Sequence, residues 1–253
     1  MQNPFYSLIF LTSISGFYFY FSWRIRKAYI EAQSRGDAEA VPFKYFMWSF
    51  VWMGIFMIFH WLPLLAFYIG GPYSNYEWFK ISHPWSHTTG HIFMHLSFAY
   101  AALVGAHFSW PKLKPYVFGW VFIVGILIGT PLTIRYPQVT TIVGPVMTGG
   151  DSELVSAVTG LGALGLLYAG IVLIYWAFKS SDRNFRRRSF FIGTGFILFF
   201  IAGPMNDAAG TLAEIIPAYS MIILSLAFQA YGILMNSKEP LAASRAGVPA
   251  VNG

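Results

Sequence analysis

The sequence predicts an all-α fold: a polytopic integral membrane protein of seven transmembrane helices, with its N-terminus outside the cytoplasm and its C-terminus inside. Three observations carry this. The chain has 253 residues, is 56% hydrophobic and only 10% charged, whereas soluble domains carry about 25% charged residues. Seven long apolar stretches run along it, and a spanning helix needs about 20 apolar residues. All the Lys and Arg residues except Lys80 and Arg135 fall into alternate gaps between those stretches or into the tail, which is the positive-inside pattern.

The elements follow in order. The first helix is predicted over 5–23, stopping at Arg24, Arg26 and Lys27, and a polar loop containing Gly36 and Pro42 leads to Lys44. The second covers 45–68, with a bend at Pro63, which removes one backbone hydrogen bond. An aromatic outer loop is predicted over 70–86 and the third helix over 87–108. A tight turn at 110–115 returns the chain into the fourth helix, 116–134. The outer connection 135–151 is rich in Pro, Gly and Thr, and reads as a lid or a partner surface. The fifth helix, 153–178, carries Gly160, Gly162, Gly165 and Gly170, which permit close helix approach. The sixth covers 189–205, ending in Gly-Pro-Met-Asn-Asp, and the seventh 215–235. Residues 1–236 thus form one transmembrane domain. Residues 237–253 form a cytoplasmic tail whose small, polar, Pro-containing composition predicts disorder. In lipid each span must satisfy its own backbone hydrogen bonds, so helices are the expected element.

Composition also excludes functions. The chain has no Cys, which removes disulfides, thiolate metal sites and Fe–S ligation. The net charge of +6 sits beside helix ends, where topology and anionic lipid account for it, so no nucleic-acid partner is expected. Arg186, Arg187 and Arg188, within the run FRRRS, are the residues placed to meet lipid headgroups. The seventh helix has no Lys for a retinal Schiff base. No P-loop, Gly-x-Ser-x-Gly or His-Glu-x-x-His motif is present.

The chemistry-bearing residues are histidines. All six lie between His60 and His107, and His83, His87, His91 and His95 recur every four residues. Four residues advance a helix by about 400°, so the last three share one face. His60 lies at a similar depth on the preceding helix. One reading pairs His60 and His95 as axial ligands of a b-type haem that exchanges electrons with quinone, with His91 as a group supporting the ligands or an alternative ligand. A second places a divalent metal at His87 and His91 with a carboxylate. Asp151, Glu153, Asp207 and Glu214 are the carboxylates expected on that face, and Asp207, after Gly203-Pro204, is the preferred one. A third reading is interhelical polar packing, which is also the expectation for Gln229. No catalytic residue emerges.

Three segments carry a resemblance: PFKYFMWSFVWMGIF, FRRRSFFIGTGFILFFIAGPMND and IPAYSMIILSLAFQAYGIL. In these and in topology the chain resembles the seven-helix membrane module at the N-terminus of some bacterial sensor histidine kinases. The resemblance implies a multi-pass protein of the bacterial inner membrane. No kinase, PAS or cyclase domain follows residue 236, so it implies a signalling output that was lost or resides in another chain. The expected function is a non-catalytic, sensor-like module or accessory subunit that meets membrane lipids and partner subunits and has a His-rich site near the outer face.

Overall fold

The computed structural model describes residues 5–37, 40–69, 75–143, 146–209 and 211–235, with backbone alone at 5, 66–69, 75–83, 139–143, 146–150, 207–208 and 212. The expected tail lies outside the described residues. Helices α1 (Phe5–Ser34), α2 (Ala40–Ile69) and α3 (Asn75–Phe108) come first. A composite fourth rod follows: a 3-10 turn Pro111–Leu113, then α4 (Lys114–Val121), a π-helical stretch Phe122–Ile128 and α5 (Gly129–Arg135). Strands β1 (Val139–Val143) and β2 (Val146–Gly150) pair as an antiparallel hairpin. Helices α6 (Glu153–Lys179), α7 (Arg183–Ala208) and α8 (Leu212–Leu234) complete the chain. Among the described residues, six helical rods are long and apolar enough to cross a membrane, which makes this a multi-pass membrane-protein fold; α1 is not one of the six.

Several elements are longer than the sequence predicts. α1 does not stop at Arg24. Arg, Lys, Glu and Gln are good helix formers, so a basic cluster marks where a helix leaves the apolar layer without ending it. The end comes at Gly36, whose φ of 68° only glycine adopts readily. There the amides of Gly36 and Asp37 donate back to Gln33 and Ala32 at 3.1 and 2.9 Å. Most of the expected loop 70–86 is the first part of α3, which continues through Pro84. α7 likewise runs through Pro204. Strands β1 and β2 fall within 135–151, where the sequence predicts an irregular outer connection, and the backbone of β2 lies against α1 and α7.

Cross-helix contacts define the arrangement. Ser15 Oγ donates to Gly54 O at 3.2 Å and Ser22 Oγ to Met47 O at 3.3 Å, so α1 and α2 are antiparallel. Ser49 meets Ser97 at 3.2 Å, and Ser86 Oγ donates to Phe59 O, so α2 and α3 are antiparallel too. α3 and α6 run parallel: His87 pairs with Asp151 at one end, and Trp176 Nε1 donates to Phe108 O at 2.6 Å at the other. The fourth rod runs back between them, where Trp120 Nε1 donates to Leu161 O at 3.1 Å. On α7 and α8, Gln229 Nε2 donates to Ser225 Oγ, which donates to Gly195 O, at 3.0 and 2.8 Å. The interhelical bond is thus made by Ser225, and Gln229 supports it from one turn further along α8. Ser7 and Tyr219, 3.3 Å apart, join α1 to α8.

Small residues set these distances. Of the four α6 glycines, three are packed: a Cβ on Gly162 would meet His95 at 2.7 Å, one on Gly165 Val121 at 2.7 Å, and one on Gly170 the Gly193 carbonyl at 3.0 Å. Gly160 has open space in front of it. Without a hydrophobic drive between helices in lipid, this close van der Waals contact is what holds neighbours together. Overpacking costs about 1–3 kcal/mol, so Gly170→Val is expected to lower the thermal midpoint of the purified protein. Gly16→Ala, which meets nothing within 4 Å, is expected to leave it unchanged or raise it. Circular dichroism melts of the two variants in detergent check this, and equal losses would contradict the packing.

Candidate functional site

Local sequence places each side chain. The four-residue spacing on α3 stacks the His87, His91 and His95 rings, with centroids 4.2 and 6.1 Å apart in succession. Ser152 caps α6, its Oγ accepting from Val155 N at 3.4 Å. That cap fixes the preceding residue, Asp151, beside the start of α6, and the parallel seam with α3 brings it over the first two histidines. Asp151 Oδ1 accepts from His87 Nε2 at 2.9 Å, and Asp151 Oδ2 lies 3.6 Å from His91 Nε2. All three side chains are buried, and one ligand atom from each lies within 4.8 Å of the others.

Two imidazole nitrogens and a carboxylate oxygen suit zinc or a similar divalent transition ion, with the fourth tetrahedral position open. Tetrahedral bonds of about 2.0–2.1 Å hold ligand atoms roughly 3.3 Å apart. The separations of 2.9 Å to Asp151 Oδ1 and 3.6 Å to Asp151 Oδ2 are of that order, and one ligand atom from each residue lies within 4.8 Å of the others. Protein-borne polar groups buried this deeply in an apolar layer are costly unless paired, and they mark functional positions.

The site roofs a cavity of about 420 Å³. His60, His87, His91, Asp151, Glu153 and Asn206 line one end of it, and Phe56, Met57, Phe98, Phe199, Phe200 and Ile222 line the rest. Leu11 and Ile14 bring α1 into the wall.

The other predicted residues fall elsewhere. His60 meets Phe56 and His87 at ring-centroid distances of 4.3 and 5.5 Å, while His95 meets His91 and Phe98. The two are not brought together as a facing pair. His95 turns away from the cavity into a cleft between α6 and the π stretch. A Cβ on Gly125 would come within 2.3 Å of its ring and one on Gly162 within 2.7 Å. Gly125 and Gly162 thus pack against the Cγ, Nδ1 and Cε1 edge of the His95 ring. His95 is 1% exposed, and neither of its ring nitrogens has a hydrogen-bond partner.

Asp207 lies on α7 with its side chain outside the described residues, as does that of His83 on α3. Among the described residues, the carboxylate that reaches the histidines is Asp151. Glu214 accepts from Thr211 N at 3.0 Å, closing the capping box of α8. His107 lies at the opposite end and accepts from Lys114 Nζ at 3.2 Å. Of the three arginines, Arg186 donates to Ala177 O at 3.2 Å and Arg188 stands 5.5 Å over the Phe43 ring, so both brace the α6–α7 turn and α2. Arg187 is exposed.

Comparison with protein-family models, with curated proteins and with solved structures gave no match.

The His95 cleft is directly testable. Gly125→Ala is expected to destabilise the protein by about 1–3 kcal/mol through overpacking. His95→Ala in the same chain removes the clashing ring and is expected to restore part of the loss, since the Cβ that alanine keeps also lies 2.8 Å from the added one. Non-additivity of that size in a double-mutant cycle measured by thermal melts checks the contact, and simple additivity would contradict it.

Proposed function

We propose that the protein is a non-catalytic, sensor-like membrane module that holds a divalent transition metal ion at His87, His91 and Asp151 and reports its presence to partner subunits. The single observation that carries this reading is the convergence of those three buried ligand atoms within 4.8 Å at the roof of a cavity. The i, i+4 pair comes from one helix and the carboxylate from a capped junction, so the set is preorganised before an ion arrives. Zinc is the first choice, since it takes nitrogen and oxygen ligands in a tetrahedral array and keeps a fourth position for solvent or ligand.

The same reading gives the chain seven spans. The Ser15–Gly54 and Ser22–Met47 hydrogen bonds hold α1 alongside α2 through the layer that the span 40–65 crosses. Buried Leu11, Ile14, Tyr18, Phe21 and Ile25 follow a helical spacing down its inner face. With seven spans, the positive-inside pattern supports a metal set on the outer face of the membrane, taken here as a bacterial inner membrane, and Arg-rich turns in the cytoplasm. An outward-facing site that takes an ion, with a cytoplasmic end free for partner subunits, is the layout of a receptor module.

The experiment is metal analysis and zinc titration of the chelator-stripped protein in detergent. About one equivalent of zinc is expected, with a thermal stabilisation that grows with free zinc as binding linkage requires, about 2.7 kcal/mol at a hundred times Kd. Removing an outer-sphere partner alone costs about 10–100-fold in metal affinity, so His91→Ala or Asp151→Asn is expected to weaken zinc by on the order of a hundredfold or more. No uptake of zinc, copper or nickel, or uptake unchanged in Asp151→Asn, would overturn the reading.

A further inference from the structure

The cavity beneath the metal set is larger than an ion requires. Its volume of about 420 Å³ falls in the lower part of the roughly 300–1,000 Å³ range of small-molecule sites, the scale of one chain rather than two. It is also deep. His87 and Phe98 both line it from α3, and they stand three helical turns apart, roughly 16 Å.

Its wall changes character along that depth. The metal ligands, Glu153, Asn206 and Gln138 gather at one end, while Met57, Met94, Phe98, Phe199 and Ile222 carry the wall below them. Ser156 and Thr159 of α6 also line it, so a polar solute finds few partners below the roof, and a purely apolar solute leaves the roof unmatched. An ion alone would fill neither.

We infer that this cavity binds a single-chain amphiphile whose anionic oxygen head group takes the open coordination position of the metal, with its alkyl or isoprenoid chain lying between α1, α3, α7 and α8. This rests on the metal reading. It adds the ligand class and a reason for the metal: the ion turns an acid-lined roof into an acceptor for an anion.

Physical chemistry says where selectivity lies. A chain that moves from bilayer to cavity exchanges one apolar environment for another and gains little. The head group therefore decides both affinity and discrimination. Asp151 and Glu153 at the roof disfavour an anion until a dication offsets them.

Two glycines make the cavity fillable without disturbing its wall. Gly160 and Gly203 line it, and an added Cβ at either meets nothing within 4 Å. In Gly160→Phe/Gly203→Phe the new rings occupy the chain's place while the metal ligands stay untouched.

The test uses the whole chain, loaded with zinc, in phosphatidylcholine nanodiscs. Tritiated dodecanoate is the probe, with acetate and dodecyltrimethylammonium as competitors, and bound zinc is assayed separately. Dodecanoate is expected to bind saturably at about one per protein, with acetate and the cationic amphiphile each at least tenfold weaker as competitors. The double variant is expected to keep its zinc and lose dodecanoate by tenfold or more. Asp151→Asn is expected to lose both. Zinc without saturable dodecanoate would overturn the amphiphile and leave the metal reading standing. Equal dodecanoate binding by the double variant would overturn the cavity as its place. Dodecanoate binding that persists in Asp151→Asn after zinc is gone would overturn the coordinated head group.

Discussion

The rest of the structure depends on the parallel seam between α3 and α6. Two helices that run the same way cannot be neighbours in sequence, so the chain must cross and return between them, and the fourth rod does this. The seam is close because small residues line it. Gly105 sits against Ala169, and Gly165 against Ala102 and the Phe98 carbonyl. At one end Trp176 bonds the last carbonyl of α3, and at the other Asp151 bonds His87. A carboxylate delivered by one helix start and a pair of imidazoles on another meet only because the seam holds their register over the full length.

The middle of the same seam explains the fourth rod's irregularity. The His95 ring lies in a cleft whose far wall is Gly125, within the π stretch Phe122–Ile128. A π turn widens the helix and displaces the ladder by one residue, and such turns recur at functional positions. Here it lies where an unpartnered imidazole is pressed between two backbones. The buried Thr130 hydroxyl just beyond has no partner either. Polar atoms without partners in an apolar layer are expensive, so this cleft stores cost that the rest of the seam has to offset.

Hydropathy made the rods legible, because apolar runs of spanning length leave little alternative, and α6 matches its expected range almost to the residue. The four-residue histidine spacing placed three imidazoles on one face correctly. The extensions of α1 beyond Arg24 and of α3 before His87 were hidden because helix propensity does not require apolarity: polar and charged residues continue a helix once it leaves the hydrocarbon layer. The partner of the histidines was harder. Depth estimates treat His60 and His95 as equals, but they carry no rotation, and the α3 face that bears His95 turns toward α6 rather than α2. Bringing Asp151 to the histidines required knowing that α3 and α6 are parallel neighbours, a fact of topology that no local pattern states. The cavity was illegible for the same reason, since six helices contribute to its wall.

The separation of His87 and Asp151 along the chain, 64 residues, has a consequence for biogenesis. At about 5–20 residues per second of synthesis, the carboxylate leaves the ribosome roughly 3–13 s after the histidine it bonds. Meanwhile the fourth rod must enter the bilayer and return. Throughout that interval the imidazoles are within reach of whatever cation or headgroup the surroundings hold. Completion of the trio is thus a late step of assembly, and it marks a chain in which α3, the fourth rod and α6 are already correctly threaded.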